Sequence, residues 1–145
     1  MNPTPLRILL ADDDKDDCTF FVRALSEIPM ATQLTVVNDG EQLMDYLAQK
    51  TPPLPHVIFL DLSMPRKTGF ECLAEIKEDE RWKNLHVVML STSYARDVIY
   101  EQGLMNTLTK MGSEQFIRKP SNYDQLKELI YEALKKLTEA KLSNP

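Results

Sequence analysis

Five residues of this chain carry side chains suited to metal and phosphorus chemistry: the adjacent carboxylates Asp12 and Asp13, the carboxylate Asp61, the hydroxyl of Ser91 and the ammonium of Lys119. All follow short apolar runs. Leu6-Arg7-Ile8-Leu9-Leu10-Ala11 precedes the first pair, His56-Val57-Ile58-Phe59-Leu60 precedes Asp61, Val87-Val88-Met89-Leu90 precedes Ser91, and a strand from Gln115 to Arg118 precedes Lys119. In an open parallel sheet, ligands bind outside the carboxyl ends of the strands, because connecting loops and helix N-termini converge there. Taken singly, each residue has an ordinary reading, and an aspartate ending a strand is commonly a turn residue. Taken together, three carboxylates at one sheet edge repel and raise one another's pKa values unless a cation intervenes. Mg2+ suits them, since it takes oxygen ligands and keeps several waters. The double charge of that ion and the single charge of Lys119 offset Asp12, Asp13 and Asp61, which leaves a site fit for a phosphoryl group. Asp14, Asp16 and Asp17 read as helix furniture: Asp14 as an N-cap, the other two as complements of the helix dipole.

The elements that must position these residues alternate along the chain. After the first apolar run, Phe20, Phe21, Ala24, Leu25 and Ile28 recur at helical spacing and Pro29 ends the segment. Gln33 to Val37 reads as a strand, and Asn38-Asp39-Gly40 turns into a helix bearing Leu43, Tyr46 and Leu47. The stiff connector Thr51-Pro52-Pro53-Leu54-Pro55 leads to the strand ending at Asp61. A helix over 69–78, the strand before Ser91, a helix from about Ala95 to Lys110, the short strand before Lys119 and a helix from Tyr123 to Leu137 follow. Leu126, Leu129, Ile130, Ala133, Leu134 and Leu137 share one face of the last. Strand and helix in alternation predict an α/β fold, a doubly wound five-stranded parallel sheet with helices on both faces. One domain over 6–137 with a short polar tail over 138–145 is expected.

A chain of 145 residues can bury one sizeable core unaided. Its formal net charge of −5 argues against a surface built to neutralise nucleic acid or an anionic membrane. Cys18 and Cys72 stand alone in helical patterns and read as reduced thiols of the core or its margin. No apolar run is long enough to span a bilayer and the N-terminus has no signal-peptide pattern, so a cytoplasmic protein is expected.

Four motifs in this order, Leu9-Leu10-Ala11-Asp12-Asp13-Asp14, Phe59-Leu60-Asp61-Leu62-Ser63-Met64-Pro65 with Gly69 following, Met89-Leu90-Ser91-Thr92-Ser93 and Phe116-Ile117-Arg118-Lys119-Pro120, resemble those of the receiver domain of two-component response regulators. The resemblance implies a flavodoxin-like strand order, 2-1-3-4-5. It implies that Asp61 is the phosphoacceptor, taking a phosphoryl group from a phosphohistidine of a sensor histidine kinase or a histidine phosphotransfer protein. It implies Mg2+ on Asp12, Asp13, Asp61 and the backbone carbonyl of Ser63, with Lys119 pairing a phosphoryl oxygen. Ser91 matches the switch hydroxyl and Phe116 the switch aromatic. Such a protein is not an enzyme, although it assists its own phosphorylation and dephosphorylation. With no output module in the sequence, output through protein contacts is expected, either by shuttling phosphoryl groups in a relay or by binding a downstream protein target.

Some features depart from the family's pattern. Phe116 lacks a tyrosine hydroxyl, and Thr92 stands where alanine or glycine is frequent and narrows access to Asp61. The stretch from Ser91 to Lys119 is longer than usual, which suggests an extended fourth helix or a break near Gly103, and motivates a homodimer through the last two helices. Met64, Tyr94, Val98, Ile99 and Met105 could form a docking surface, although such residues are more often core. The Pro-rich connector and Ile76-Lys77-Glu78-Asp79-Glu80 are also similar to single-domain regulators associated with bacterial phytochromes. Two other functions compete. A haloacid-dehalogenase-type enzyme would need an acid two residues after Asp61, where Ser63 stands. A pseudo-receiver, binding constitutively, would tolerate loss of any of the five site residues, yet all are present.

Overall fold

The computed structural model describes residues 4–49, 53–91 and 98–143, with the side chains of all of these except 98–101 and 140–143. Ten elements alternate: β1 (Leu6–Ala11), α1 (Lys15–Ser26), β2 (Thr32–Val37), α2 (Gly40–Ala48), β3 (Val57–Asp61), α3 (Gly69–Glu78), β4 (His86–Ser91), α4 (Val98–Lys110), β5 (Gln115–Arg118) and α5 (Tyr123–Ser143). The strands pair in parallel in the order β2-β1-β3-β4-β5.

The two-residue period of a strand divides its apolar run between two cores. Ile8, Leu10, Val57, Phe59, Val88 and Leu90 face one way, where α1 supplies Phe21, Ala24 and Leu25 and α5 supplies Ile130, Ala133 and Leu134. Leu9, Ala11, Ile58, Leu60, Val87 and Met89 face the other, against Leu43 and Leu47 of α2, Leu73 and Ile76 of α3 and Leu108 of α4. A strand covered on both faces has no place for polar residues before its exit, which is why the apolar runs end so abruptly on Asp12, Asp61 and Ser91. Phe59 is wholly buried and meets Phe21 edge to face at 4.9 Å, joining the central strand to α1.

Helix starts follow local chemistry. The Asp14 side chain caps α1 by accepting from the Asp17 N–H, as its position before the helix predicts, and Asp39 caps α2 in the same way. Thr68 and Glu71 form a capping box that starts α3 immediately beside the β3 exit.

The structure revises several expectations. Phe20 is 45 % exposed rather than part of the α1 core face, because it is the next residue along from buried Phe21 and lies outside the arc that meets the sheet. It leans towards Tyr123, whose ring also carries the Arg23 guanidinium at 4.4 Å. Leu129 is likewise partly exposed on α5, at 37 %. Helix α4 runs unbroken through Gly103, where an added Cβ would meet nothing within 4 Å. The length between Ser91 and Lys119 is therefore helical where described, while Thr92, Tyr94 and the expected start at Ala95 lie outside the described residues. Helix α5 continues past Leu137 to Ser143, into the stretch read as a polar tail, as a run of helix formers without Gly or Pro permits. Of the residues suggested for a docking surface, Met64 is buried and Met105 exposed; the side chains of Val98 and Ile99 are not among those described. Among the described residues no helix is long and apolar enough to cross a membrane.

Candidate functional site

The parallel strands bring their exits to one edge, and the adjacent register sets Asp61 of β3 beside Leu90, the residue before Ser91. Asp12 leaves β1 with 1 % exposure, Asp61 ends β3 with 2 % and Ser91 ends β4 with 4 %, whereas Asp13 is exposed. Asp12 is held at its backbone: its N–H donates to the Val37 carbonyl at 3.1 Å, and its carbonyl accepts from Asn38 and from the Cys18 thiol. The Lys119 N–H donates to the Ser91 carbonyl at 3.1 Å, which ties the fifth exit to the fourth.

The side chains converge on the Lys119 ammonium. It donates to Asp12 Oδ2 at 2.7 Å, Asp17 Oδ2 at 2.9 Å and Asp61 Oδ2 at 3.0 Å. The other oxygen of each buried carboxylate accepts a backbone N–H two residues on, Asp14 for Asp12 at 3.0 Å and Ser63 for Asp61 at 3.1 Å. Asp12, Asp13 and Asp61 each offer an oxygen within 4.8 Å of the others. An all-oxygen set, mostly buried, with one exposed member through which a hydrated ion can enter, fits a hard divalent cation. Sequence reasoning underestimated Asp17. Asp14 fixes it as the third residue of α1, and only the packing of α1 against the β5 exit shows that its carboxylate reaches Lys119. With Asp17 the site carries four carboxylates, one more than Lys119 and a dication offset.

The electrostatics reflect burial first. Desolvation pushes the Asp12 carboxyl up from 3.8 to about 6, Asp61 repels it in the same direction, and the Lys119 hydrogen bond pulls it back only in part. For Lys119, burial disfavours the charge, but the hydrogen bonds to Asp12 and Asp17 overcome it and hold the ammonium above its ordinary range. Burial likewise raises the Cys18 thiol to about 11 and the Cys72 thiol to about 12. Both cysteines are free thiols, half-buried and buried respectively, as their isolation in the sequence implies, and neither is a ready nucleophile.

The loop from Leu62 to Thr68 returns across the site to Gly69, whose N–H donates to the Leu62 carbonyl at 3.1 Å. Buried Met64 anchors it, as do an Arg66–Asp39 ion pair at 3.4 Å and a Lys67–Glu75 pair. An added Cβ at Gly69 would overlap the Asp61 carbonyl oxygen and lie 2.8 Å from the Leu62 Cα, so backbone would have to move. Gly69→Ala is expected to cost about 1–3 kcal/mol in urea-unfolding stability through overpacking, and to weaken divalent-ion binding because the displaced atoms belong to Asp61. Unchanged metal affinity in a destabilised variant would sever the link between this contact and the site.

Phe116 is half-buried against the core shared with α4, and lies in register with Met89. Thr92, expected to narrow access to Asp61, lies outside the described residues.

Comparison with known proteins agrees with this fold. Residues 8–131 match the model of the response regulator receiver domain. Response regulator Rcp1 of Synechocystis sp. is 37 % identical over 116 residues, 75 % of this chain and 78 % of that protein. The crystal structure of the phosphorylated cyanobacterial phytochrome response regulator RcpA superposes with a TM-score of 0.76 at 32 % identity, covering 90 % of this chain and 91 % of that one. The Mn2+-bound form of Rcp1 gives the same TM-score, 0.76, at 29 % identity and covers 88 % of this chain and 91 % of that one.

Proposed function

The chain belongs to the response regulator receiver family, and from that premise we propose that it is a phosphoacceptor switch, taking a phosphoryl group on Asp61 from a phosphohistidine of a sensor kinase or phosphotransfer protein. The observation that carries this reading is the bridge from Lys119 to buried Asp12 and Asp61, with Asp13 within ligand reach of both. It gives one nucleophile, one fixed cation and a donor set for a divalent ion, at the edge where loops admit a partner.

Asp61 attacks phosphorus through a carboxylate oxygen. The phosphorus–nitrogen bond of the donor breaks, its electron pair stays on the imidazole nitrogen, and an acyl phosphate forms. Burial strips Asp61 of competing water and the Ser63 N–H fixes its plane. Asp12, Asp13, Asp61 and the Ser63 carbonyl are the groups that would hold Mg2+, which when bound offsets charge on the transferring phosphoryl oxygens. Lys119 stays against the new anion. Ser91, one strand over, contributes a hydroxyl once the phosphoryl group is present, and Phe116 follows the inward movement of its loop.

The active conformation gains these two contacts and the resting one does not, which biases an existing equilibrium. Moving it from 1:99 to 99:1 takes about 5.5 kcal/mol. Two charge-assisted hydrogen bonds at roughly 1.5–3 kcal/mol each are of that order, less the cost of the partner that Lys119 gives up in exchange. The output is a protein contact made with a downstream target in the cytoplasm, with a homodimer through α4 and α5 as one form it could take. The likeness to the cyanobacterial phytochrome response regulator RcpA supports a place beside a phytochrome-type sensor.

Intact mass after incubation with a small-molecule phosphodonor tests the reading. One phosphoryl adduct is expected with Mg2+ and none after chelation. No adduct in either sample would turn the reading to a pseudo-receiver that binds constitutively.

A further inference from the structure

All three N–H donors of an ammonium are engaged at Lys119, by Asp12, Asp17 and Asp61 at 2.7, 2.9 and 3.0 Å. A phosphoryl oxygen arriving at Asp61 therefore finds no spare donor, and one existing hydrogen bond has to be given up. The three partners differ in what that would cost. The side chains of Asp12 and Asp61 are 2 % and 3 % exposed, so releasing either leaves a buried, poorly solvated carboxylate. Asp17 is 40 % exposed on the first turn of α1, where water replaces the lysine at small cost. Beside it, a cavity of about 250 Å³ lined by Asp17, Phe20, Lys119 and Tyr123 gives the released carboxylate room to turn.

We propose that Asp17 is a positioning residue that competes with the incoming phosphoryl group: it holds the third donor of Lys119 in the resting state and yields it when the phosphoryl oxygen arrives. The proposal rests on the phosphoacceptor reading and deepens it. Asp17 sets how strongly the site is charged against an anion, as the fourth carboxylate in a site whose cations offset three. The acidic first turn of α1 thus has two distinct members. Asp16 is exposed in the same turn and is none of the three acceptors, so it serves the helix dipole alone.

That difference supplies the control. Beryllofluoride, a tetrahedral phosphoryl mimic, is titrated by calorimetry at saturating Mg2+ into wild type, Asp17→Asn and Asp16→Asn, with thermal unfolding recorded for all three. Each variant removes one charge from the same helix turn, so a dipole or long-range effect moves both equally. Asp17→Asn is expected to bind the mimic about two- to five-fold more tightly, the range for losing a partly exposed competing ion pair, while Asp16→Asn binds as wild type does. Unchanged or weaker binding by Asp17→Asn, or an equal shift in both variants, overturns the proposal and leaves the phosphoacceptor reading standing. Failure of wild type to bind the mimic overturns both.

Discussion

Asp61→Asn is expected to fold and to accept no phosphoryl group. Asparagine keeps the shape of the side chain and an oxygen that can accept the Ser63 N–H, now at 3.1 Å from Asp61 Oδ1. What it loses is the anionic oxygen that the proposed reaction needs as its nucleophile, and no neighbouring carboxylate is placed to replace it. Asp12 is fixed at its backbone by the β1 exit, and its two carboxylate oxygens keep their own partners, Lys119 and the Asp14 N–H. Asp13 is exposed and is none of the three acceptors of Lys119. Removing the Asp61 charge also relieves its repulsion of Asp12, while Lys119 keeps Asp12 and Asp17 as partners. The two effects on stability oppose one another, and a change within about 1 kcal/mol is expected. Intact mass with phosphodonor and Mg2+ checks the chemistry, and urea unfolding checks the fold. An adduct on Asp61→Asn at wild-type stoichiometry would remove Asp61 from its role.

How much of this was legible in the chain depends on the range of the cause. Strands buried on both faces must be apolar until they end, so Leu6 to Ala11 and Val57 to Leu60 announce both a strand and its exit. The site residues Asp12, Asp61 and Ser91 could be named because they stand where those runs stop. Helix α3, Gly69–Glu78, and strand β5, Gln115–Arg118, have the bounds that local pattern predicts. What escaped notice depends on packing between distant segments. Asp17 reads as a dipole residue until α1 is laid beside the β5 exit, 102 residues away in sequence. Phe20 and Phe21 are chemically identical neighbours, and only the angle at which α1 meets the sheet buries one and exposes the other. At Gly103 the absence of a side chain suggested a break, yet the surrounding residues favour helix and the Thr107 hydroxyl donates to the Gly103 carbonyl at 3.0 Å. A single glycine costs a helix only about 1 kcal/mol, too little to interrupt one held by the sheet.

Lys119→Ala should be the most destabilising change at the site, with a cost that depends on pH. The ammonium is the one cation reaching the two buried carboxylates among the described residues, and removing one partner of such a cluster costs about 3–5 kcal/mol because the other charges stay buried and unpaired. The protein can lower that cost by taking up protons. Asp12 already sits at about 6 against an ordinary 3.8, and without Lys119 it loses both the hydrogen bond and the charge that pull it down, so it rises further. A carboxyl whose pKa is higher in the folded state binds protons more tightly there. Its contribution is full below the unfolded value and is lost as pH climbs through the folded one. The deficit of Lys119→Ala relative to wild type should therefore be smaller near pH 5 than at about pH 8, the opposite of ordinary acid destabilisation. Mg2+ should return part of the lost stability at the higher pH, since a bound dication replaces the missing charge and binds only the folded state. Phosphoryl transfer should stay impaired all the same, because an ion held by Asp12, Asp13 and Asp61 would not supply the N–H donor that Lys119 offers a phosphoryl oxygen. Urea unfolding at both pH values, with and without Mg2+, measures all of this. A deficit that is the same at both pH values would mean that Lys119 holds the β5 exit by packing and not by offsetting the charge of Asp12 and Asp61.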